Sequence, residues 1–180
     1  MVKEILSKTI LNKHKKRDEW FLDDYSLNPY QLCDFNCIYC YIRGSKYGKN
    51  MKQGLSAKVN APALLEKELL KRAKRKEYGF IALSSSTEPW MHIEEEYKLT
   101  RKCLEVIAKF KFPVHCLTKS TLILRDLDLL EEIDEKAILP ISSRLHFCGG
   151  FNFIWYRKGT LLQNYGETFS RVVGKVQATL

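Results

Sequence analysis

The chain is organised around one stretch, Cys33-Asp34-Phe35-Asn36-Cys37-Ile38-Tyr39-Cys40, which places three cysteines at spacings of four and three. Thiolates are soft ligands, and a compact group of them suits an iron–sulfur cluster or zinc. Three cysteines leave one iron of a 4Fe-4S cluster open to a reactant. Zinc would need a fourth protein ligand, and its sites usually pair cysteines as Cys-x-x-Cys around a longer spacer. We interpret residues 33–40, the cysteine loop, as a cluster-binding segment, with three unrelated core cysteines as the plainer alternative.

The cysteine loop follows the end of a predicted strand. Residues 20–27 mix apolar and acidic side chains and lead into Asn28-Pro29. Proline ends regular strand pairing, so the strand should finish near Asn28. In α/β folds, ligands bind beyond the carboxyl ends of the strands. The sequence therefore places the cysteine loop where a ligand is expected.

Apolar residues at helical spacing predict three helices after the cysteine loop. The first begins after Asn60, which is expected to cap it, and Gly79 is expected to mark its stop. The second covers about residues 93–110, and the third includes residues 127–133. Cysteines inside these elements, such as Cys103, are expected to be structural.

Short apolar runs between the helices predict buried strands. They comprise residues 80–83, 114–117 and 137–139. Strands that alternate with helices through short connections form a parallel sheet with right-handed crossovers. Together with the strand before the cysteine loop they number four, which is too few to close a barrel. The predicted fold class is α/β, an incomplete, partial parallel β/α barrel, in which Cys116 is a structural strand residue.

Two loops after predicted strands supply further candidate ligands. Residues 84–92 read Ser-Ser-Ser-Thr-Glu-Pro-Trp-Met-His, and Thr118-Lys119-Ser120 follows the next strand. Both loops lie beyond parallel strands and therefore on the side of the cysteine loop. Hydroxyl groups, an acid and an ammonium group can bind a small polar ligand through charge-assisted hydrogen bonds. A polar loop with a helix cap and a surface lysine are the plainer interpretations.

The cysteine loop and its flanks resemble the radical S-adenosylmethionine (SAM) enzymes, whose signature is Cys-x-x-x-Cys-x-aromatic-Cys. Tyr39 occupies the aromatic position, Asn28-Pro29-Tyr30 precedes the cysteines, and another tyrosine follows them directly. This combination is similar to the spore photoproduct lyase-like (SPL) family within that superfamily. The similarity continues through Thr118-Lys119-Ser120 and Arg125-Asp126 and covers about residues 27–139. It implies a TIM-like β/α barrel of the radical SAM type.

The resemblance implies a cluster site with bound SAM. Cys33, Cys37 and Cys40 would bind a 4Fe-4S cluster, and its open iron would take SAM through the amino and carboxylate groups. Tyr39 would touch the SAM adenine, since aromatic faces favour contact with a base. Lys119 would contact the SAM carboxylate.

The resemblance also assigns a role to the loop after residues 80–83. Ser86, Thr87 and Glu88 correspond to the family's Ser/Thr-Asp-Pro-like motif, so they would contact SAM. Glu88 stands where aspartate is usual. Arg125 and Asp126 are expected to form a structural ion pair or a helix cap.

The implied reaction is one-electron reduction of SAM to methionine and a 5′-deoxyadenosyl radical, which removes a hydrogen atom from a substrate. An electron donor such as flavodoxin or ferredoxin would be a partner. DNA is a candidate substrate, because the resemblance extends to DNA photoproduct repair-like chemistry. Spore photoproduct lyase returns hydrogen through a cysteine near the end of the second strand, where this chain has Ser84, Ser85 and Ser86. The substrate and the catalytic residue are therefore left unassigned.

The formal net charge of +9, from 30 basic and 21 acidic residues, permits contact with nucleic acid. A zinc- or cluster-bearing nucleic-acid-binding module is accordingly the alternative function. Residues 5–17 are basic, and we interpret them as a solvated leader before the first strand. A phosphate-binding arm is the alternative for that segment.

The cysteine usage predicts a reducing compartment. The six cysteines do not suggest a disulfide framework, so a cytoplasmic location is expected. No apolar run is long enough to span a bilayer, and no membrane partner is expected. No apolar block follows the charged start Met1-Val2-Lys3-Glu4, so no signal peptide is expected.

The resemblance stops near Leu139. From Ser142 onward Glu167 is the only acidic residue, and the alternation of strands and helices is lost. A C-terminal truncation or a change of reading frame produces such a shift, and a divergent native end is the alternative. We therefore divide the chain into residues 1–140, the N-terminal part of a barrel, and residues 141–180, a divergent tail. An inactive fragment of a radical SAM protein is a further alternative.

Overall fold

The computed structural model describes most of the chain before residue 139 and three later segments. Side chains and backbone are described for residues 2–16, 23–35, 37, 38, 40, 42 and 54–138, and the backbone alone for residues 144–149, 152–157 and 160–162.

The described residues form short strands interleaved with helices. The strands are β1 (Lys3–Ile5), β2 (Leu11–Lys13), β3 (Asp23–Leu27), β4 (Tyr30–Gln31), β5 (Ser56–Lys58), β6 (Phe80–Leu83), β7 (Val114–Thr118), β8 (Arg144–Gly149), β9 (Asn152–Arg157) and β10 (Thr160–Leu162). The helices are α1 (Ala61–Lys74), α2 (Glu94–Tyr97), α3 (Leu99–Phe110) and α4 (Leu127–Lys136), with a 3-10 helix at Thr121–Asp126.

Parallel strands form the centre of the larger sheet. Its seven strands follow the order β10-β9-β8-β7-β6-β3-β2, and β3, β6, β7 and β8 are parallel neighbours. In chain order, α1 lies between β3 and β6, α3 between β6 and β7, and α4 between β7 and β8. The predicted parallel pairing of the first three of these strands is confirmed. No barrel closes among the described strands, and the partial barrel stays a prediction.

The basic segment over residues 5–17, which the structure describes up to residue 16, is tied to both sheets, so its interpretation as a solvated leader before the first strand is wrong. β1 pairs in parallel with β5 of the smaller sheet, which has the order β1-β5-β4, and β2 pairs antiparallel with β3. The Glu68 carboxylate of α1 accepts hydrogen bonds from the backbone N–H groups of Ile10 and Leu11, at 3.1 and 3.2 Å. The Glu68 side chain thereby supplies a hydrogen-bond partner for these two backbone N–H groups.

Asn60 and Gly79 both have roles other than those predicted. The Asn60 side chain does not cap α1. Its amide instead pairs with the backbone of Ser7, accepting from the N–H and donating to the carbonyl, each at 2.9 Å. α1 ends at Lys74, well before Gly79. A Cβ added at Gly79 would lie 2.7 Å from the side chain of Asp24, so close approach of two segments requires this glycine.

The predicted helix over residues 93–110 is broken at Lys98, whose φ of 52° is left-handed. Glu94 of α2 is 0% exposed, and its carboxylate accepts from the N–H groups of Thr100 and Arg101 at 2.9 and 3.1 Å. An α-helix leaves its first N–H groups without an internal partner. The turn at Lys98 lets Glu94 satisfy these groups, so the break provides the cap of α3.

The predicted strand over residues 137–139 is wrong for residues 137 and 138, which are not in a strand. The fourth parallel strand is β8. The Ala137 N–H donates to the Ile133 carbonyl at 2.9 Å, and the Ile138 N–H donates to the Lys111 carbonyl at 3.1 Å. The first bond completes the end of α4, and the second joins the chain to the residue after α3, so neither extends the sheet. The last residue of the predicted strand lies outside the described residues. β8 pairs with β9, and β9 with β10, both antiparallel, so the described tail segments continue the sheet.

The helices pack on one face of the parallel strands. The main apolar core combines helix residues with alternate strand residues, including Leu65, Leu69, Leu104, Ile107 and Ile133 with Leu27, Leu83, Val114 and Cys116. Cys103 and Cys116 are both buried in this core, as predicted. Burial of apolar area drives this packing and holds the carboxyl ends of β3, β6 and β7 at one edge. None of the described helices has the length and apolar character needed to cross a membrane.

Candidate functional site

The cysteine loop leaves β4 and rests on the smaller sheet. Leu32 has a φ of 69°, and this left-handed residue turns the chain from β4 into the loop. Cys33 and Phe35 pack against a second apolar cluster, which consists of Tyr30, Ala57, Met91 and Leu99. The start of the loop is therefore anchored by burial, next to the carboxyl end of β3.

The three thiols of the loop are free and partly buried. Burial raises the pKa of the Cys33 thiol, and hydrogen bonds with the backbone of Phe35 and Glu88 oppose that rise. The Cys40 N–H donates to the Cys37 carbonyl at 3.2 Å, which closes a turn between the last two cysteines. Tyr39, the residue for which contact with the SAM adenine is predicted, lies outside the described residues.

The chemistry of the thiols suits a cluster. In the part of the chain that the structure describes, no group of three or more His, Cys, Asp or Glu side chains is arranged to hold a single metal ion. The three protein ligands of a 4Fe-4S cluster bind three different irons, so they do not need to meet at one point. Three free, partly exposed thiols in one loop are the donors that such clusters use. The donor set therefore fits an iron–sulfur cluster.

Glu88 connects the loop after β6 with the loop after β7. It is 5% exposed, and its carboxylate accepts from the Thr118 hydroxyl, from the Lys119 N–H at 2.9 Å and from the Trp90 N–H at 3.2 Å. Burial raises the pKa of Glu88, while these three hydrogen bonds and the Lys119 charge oppose the rise. Both carboxylate oxygens are thus engaged inside the protein.

Lys119 brings the loop after β7 to the cysteine loop. Its Nζ lies 2.9 Å from the Sγ of Cys37, although the two residues are 82 positions apart. The backbone of Glu88 also hydrogen-bonds to Cys33. The loops after β6 and β7 therefore both reach the cysteine loop, which confirms that these three segments share one side of the sheet. Binding of a SAM carboxylate by Lys119 stays a prediction.

Ser86 and Thr87 lie in the turn that follows β6. The Ser86 hydroxyl donates to Asn28 Oδ1 at 3.2 Å, and the Thr87 N–H donates to the Ser84 carbonyl at 3.2 Å. Among the described residues, the hydroxyls of Ser84 and Thr87 are buried without a hydrogen-bond partner. Ser84 also has a left-handed φ of 56°. Unpaired buried hydroxyls cost free energy, so the turn holds groups that a bound ligand can satisfy.

Asn28 and Lys58 join the site, and the sequence patterns assign neither of them a role there. The Lys58 Nζ donates to the Asn28 carbonyl at 2.7 Å, while the Asn28 side chain accepts from Ser86. Burial lowers the pKa of Lys58. Asn28 belongs to the Asn-Pro-Tyr motif, and this motif is the one sequence feature that indicates a place near the site. No sequence feature indicates a role for Lys58, since its partner is a backbone carbonyl that is distant in the sequence.

Arg125 and Asp126 form the predicted ion pair, with Arg125 Nη2 2.8 Å from Asp126 Oδ2. Asp126 also accepts from Arg101 Nη1 at 2.9 Å and from the Trp90 indole N–H at 2.8 Å. Burial acts to raise the pKa of Asp126, but the hydrogen bonds from these three donors leave it below its usual value. The Asp126 side chain makes no capping hydrogen bond to α4, so its role is the ion pair.

Comparison with known proteins finds relatives by sequence. No family model and no solved structure matches the chain. Uncharacterized proteins of Mycobacterium tuberculosis and Mycobacterium bovis are 31% identical over 145 residues, which make up 77% of this chain and 41% of each relative. An uncharacterized protein of Methanocaldococcus jannaschii is 36% identical over 112 residues, 60% of this chain and 40% of the relative. The chain therefore spans less than half the length of these relatives.

Proposed function

We propose that this chain is a radical SAM iron–sulfur protein of the spore photoproduct lyase-like kind, in which residues 1–140 form the N-terminal part of the β/α barrel. The observation that carries the proposal is the 2.9 Å contact between Lys119 Nζ and Cys37 Sγ. It joins the Cys-x-x-x-Cys-x-Tyr-Cys and Thr-Lys-Ser motifs, which lie far apart in the sequence. Burial of a hydrophobic core would not by itself require these two polar segments to meet.

The cysteine loop would hold the cluster through Cys33, Cys37 and Cys40. When bound, a 4Fe-4S cluster supplies the electron for reductive cleavage of SAM to methionine and a 5′-deoxyadenosyl radical. The chain's own contribution is to position the thiols. Cys33 is anchored by the apolar cluster beneath it, and Cys37 and Cys40 are joined by the turn between them. Because the loop is already anchored, its thiols would lose less conformational entropy when they bind the cluster.

The turn after β6 and the start of the loop after β7 would hold SAM. The unpaired Thr87 hydroxyl and the Ser86 hydroxyl can hydrogen-bond to the polar groups of SAM. The Lys119 ammonium group has three N–H donors, so it can contact Cys37 and a carboxylate together. Glu88 acts through its neighbours, because its oxygens already accept from Thr118, Lys119 and Trp90. In this proposal Tyr39 would contact the SAM adenine.

The proposed partners are an electron donor of the flavodoxin or ferredoxin class and a substrate that gives up a hydrogen atom. DNA is a candidate substrate because the chain carries a formal net charge of +9. The turn after β6 holds Ser84, Ser85 and Ser86, and a serine O–H bond is a far poorer radical hydrogen donor than a thiol. This argues against photoproduct lyase activity itself and for a different reaction of the same class.

The test is anaerobic purification and reconstitution of the full 180-residue chain. Iron, sulfide and zinc content are measured, and 5′-deoxyadenosine is then quantified after addition of SAM and dithionite. A brown protein with a near-stoichiometric cluster is the expected result, with little SAM cleavage coupled to a substrate, because the described strands do not close a barrel around the site. A colourless protein that binds zinc and nucleic acid would contradict the proposal and support the nucleic-acid-binding module. A variant with all three loop cysteines replaced by alanine is the matched control.

A further inference from the structure

We propose that Lys119 sets the reduction potential of the cluster through the positive charge that its hydrogen bond to the Cys37 sulfur holds beside the cluster, and that Glu88 is the positioning residue for Lys119. The inference deepens the proposed function and rests on it. It assigns to Lys119 a role toward the cluster that is separate from contact with SAM.

The first support is the placement of the Lys119 ammonium group. Its Nζ lies 2.9 Å from Cys37 Sγ, within hydrogen-bonding distance for a sulfur acceptor. Lys119 is partly buried, so solvent screens its charge less than that of a surface lysine. A charged donor in this position is directed at the ligand sulfur.

The second support is the way Glu88 fixes the segment that carries Lys119. The carboxylate accepts from the Thr118 hydroxyl and from the Lys119 N–H, and the Thr118 oxygen accepts in turn from the Ser120 N–H at 3.0 Å. Glu88 thereby holds Thr118 and Lys119 directly, and Ser120 is held through Thr118. The lysine side chain starts from a defined backbone position, which favours its contact with Cys37.

The electrostatic argument gives the direction of the effect. The cluster couple takes one electron, without a proton, from a reductant of the flavodoxin or ferredoxin class. The reduced state carries one more negative charge, and part of that charge resides on the ligand sulfurs. Hydrogen bonds to the sulfurs and nearby positive charge stabilise the reduced state and raise the potential. Loss of the Lys119 ammonium group therefore lowers the potential.

The experiment is a redox titration of the reconstituted full chain, followed by electron paramagnetic resonance and carried out without SAM. Lys119→Met removes the charge and keeps the apolar stem of the side chain. We expect at least a tenfold shift of the reduction equilibrium toward the oxidised state, which is about 59 mV for a one-electron couple. Lys67→Met is the matched control, because Lys67 is exposed on α1. It should leave the potential unchanged.

Glu88→Gln tests the positioning role by the sign of its effect. Loss of a nearby negative charge alone would raise the potential. If the carboxylate holds Lys119 against Cys37, the substitution lowers the potential in the parent chain and fails to lower it in the Lys119→Met background. Such non-additivity is the signature of two residues that act together. A higher potential in both backgrounds would overturn the positioning role of Glu88.

Iron and sulfide content separate the two proposals. A parent chain that takes up no cluster overturns the proposed function and this inference with it. A parent chain with a cluster whose potential is the same in Lys119→Met overturns this inference alone. Where Lys119→Met retains no cluster, Lys119→Gln replaces it in the titration, since glutamine keeps an N–H donor but no charge. A lower potential in Lys119→Gln supports the inference, and an unchanged one overturns it.

Discussion

The Arg125 guanidinium and the Glu94 carboxylate form an ion pair, with Nη2 2.7 Å from Oε1 and Glu94 fully buried. The same carboxylate accepts from the Tyr30 hydroxyl and from the N–H groups of Thr100 and Arg101. Burial, followed by the Glu94 charge, raises the pKa of Tyr30. One buried acid thus joins the strand that leads into the cysteine loop, the start of α3 and the residue pair before α4.

Replacement of Arg125 should destabilise the fold substantially. Arg125→Met leaves the buried Glu94 charge without its cation, and breaking a buried pair in this way costs about 3–5 kcal/mol. The expected loss lies near the lower end, about 3 kcal/mol, because Glu94 keeps its other donors. Urea denaturation followed by circular dichroism measures the change in the free energy of unfolding.

Lys136→Met provides the matched control for that measurement. Lys136 pairs with Glu132 on the surface of α4, where both side chains are exposed. Exposed pairs of this spacing contribute about 0.3–0.5 kcal/mol. Similar small losses in both variants would contradict a stabilising role for the buried pair.

The cluster should depend on each cysteine of the loop. Cys33→Ala, Cys37→Ala and Cys40→Ala are each expected to abolish the visible absorbance of the reconstituted chain. Cys103→Ala should retain it, because Cys103 is buried in α3 within the apolar core. Iron and sulfide analysis of the four variants checks this result. Equal cluster content in all of them would refute the ligand assignment.

SAM binding should weaken when Lys119 is truncated. Hydrogen bonds to charged groups contribute roughly 1.5–3 kcal/mol, so Lys119→Ala should reduce SAM affinity by that amount. Titration calorimetry on the reconstituted chain measures it, with Lys67→Ala as the control for loss of a distant charge. An unchanged affinity would place Lys119 outside the SAM site. It would not bear on the contact between Lys119 and Cys37, which the redox titration tests.

Gly79→Ala should destabilise the junction between α1 and β6. The new Cβ would lie 2.7 Å from both Cβ and Oδ2 of Asp24. Asp24 cannot withdraw freely, because its Oδ2 accepts from the Phe80 N–H at 2.9 Å. Overpacking of this kind costs about 1–3 kcal/mol. Hydrogen exchange at the Phe80 amide and urea denaturation report the effect, and a variant as stable as the parent would show that the two segments can separate without loss.

Sequence patterns predicted the elements whose cause is local. Short apolar runs predicted the strands β6 and β7, and apolar residues at helical spacing predicted the helices α1 and α4. The burial of Cys103 and Cys116 followed from their places in these elements, because each pattern depends on close neighbours in the chain. The break at Lys98 left no such signal. The break depends on Glu94, whose carboxylate accepts from the first N–H groups of α3. Residues distant in the sequence bury that carboxylate, so no local pattern predicts the break.

By itself, the sequence determined the spacing of the three loop thiols, the polar character of the segments after β6 and β7 and the adjacency of Arg125 to Asp126. The tertiary structure decided which of these groups meet. Parallel packing of β3, β6 and β7 brings Lys119 to Cys37, and burial leaves Glu88 to accept from Thr118 and Lys119 instead of from solvent. Such contacts depend on strand order and on the removal of water from polar groups, and both arise only when residues far apart in the chain pack together.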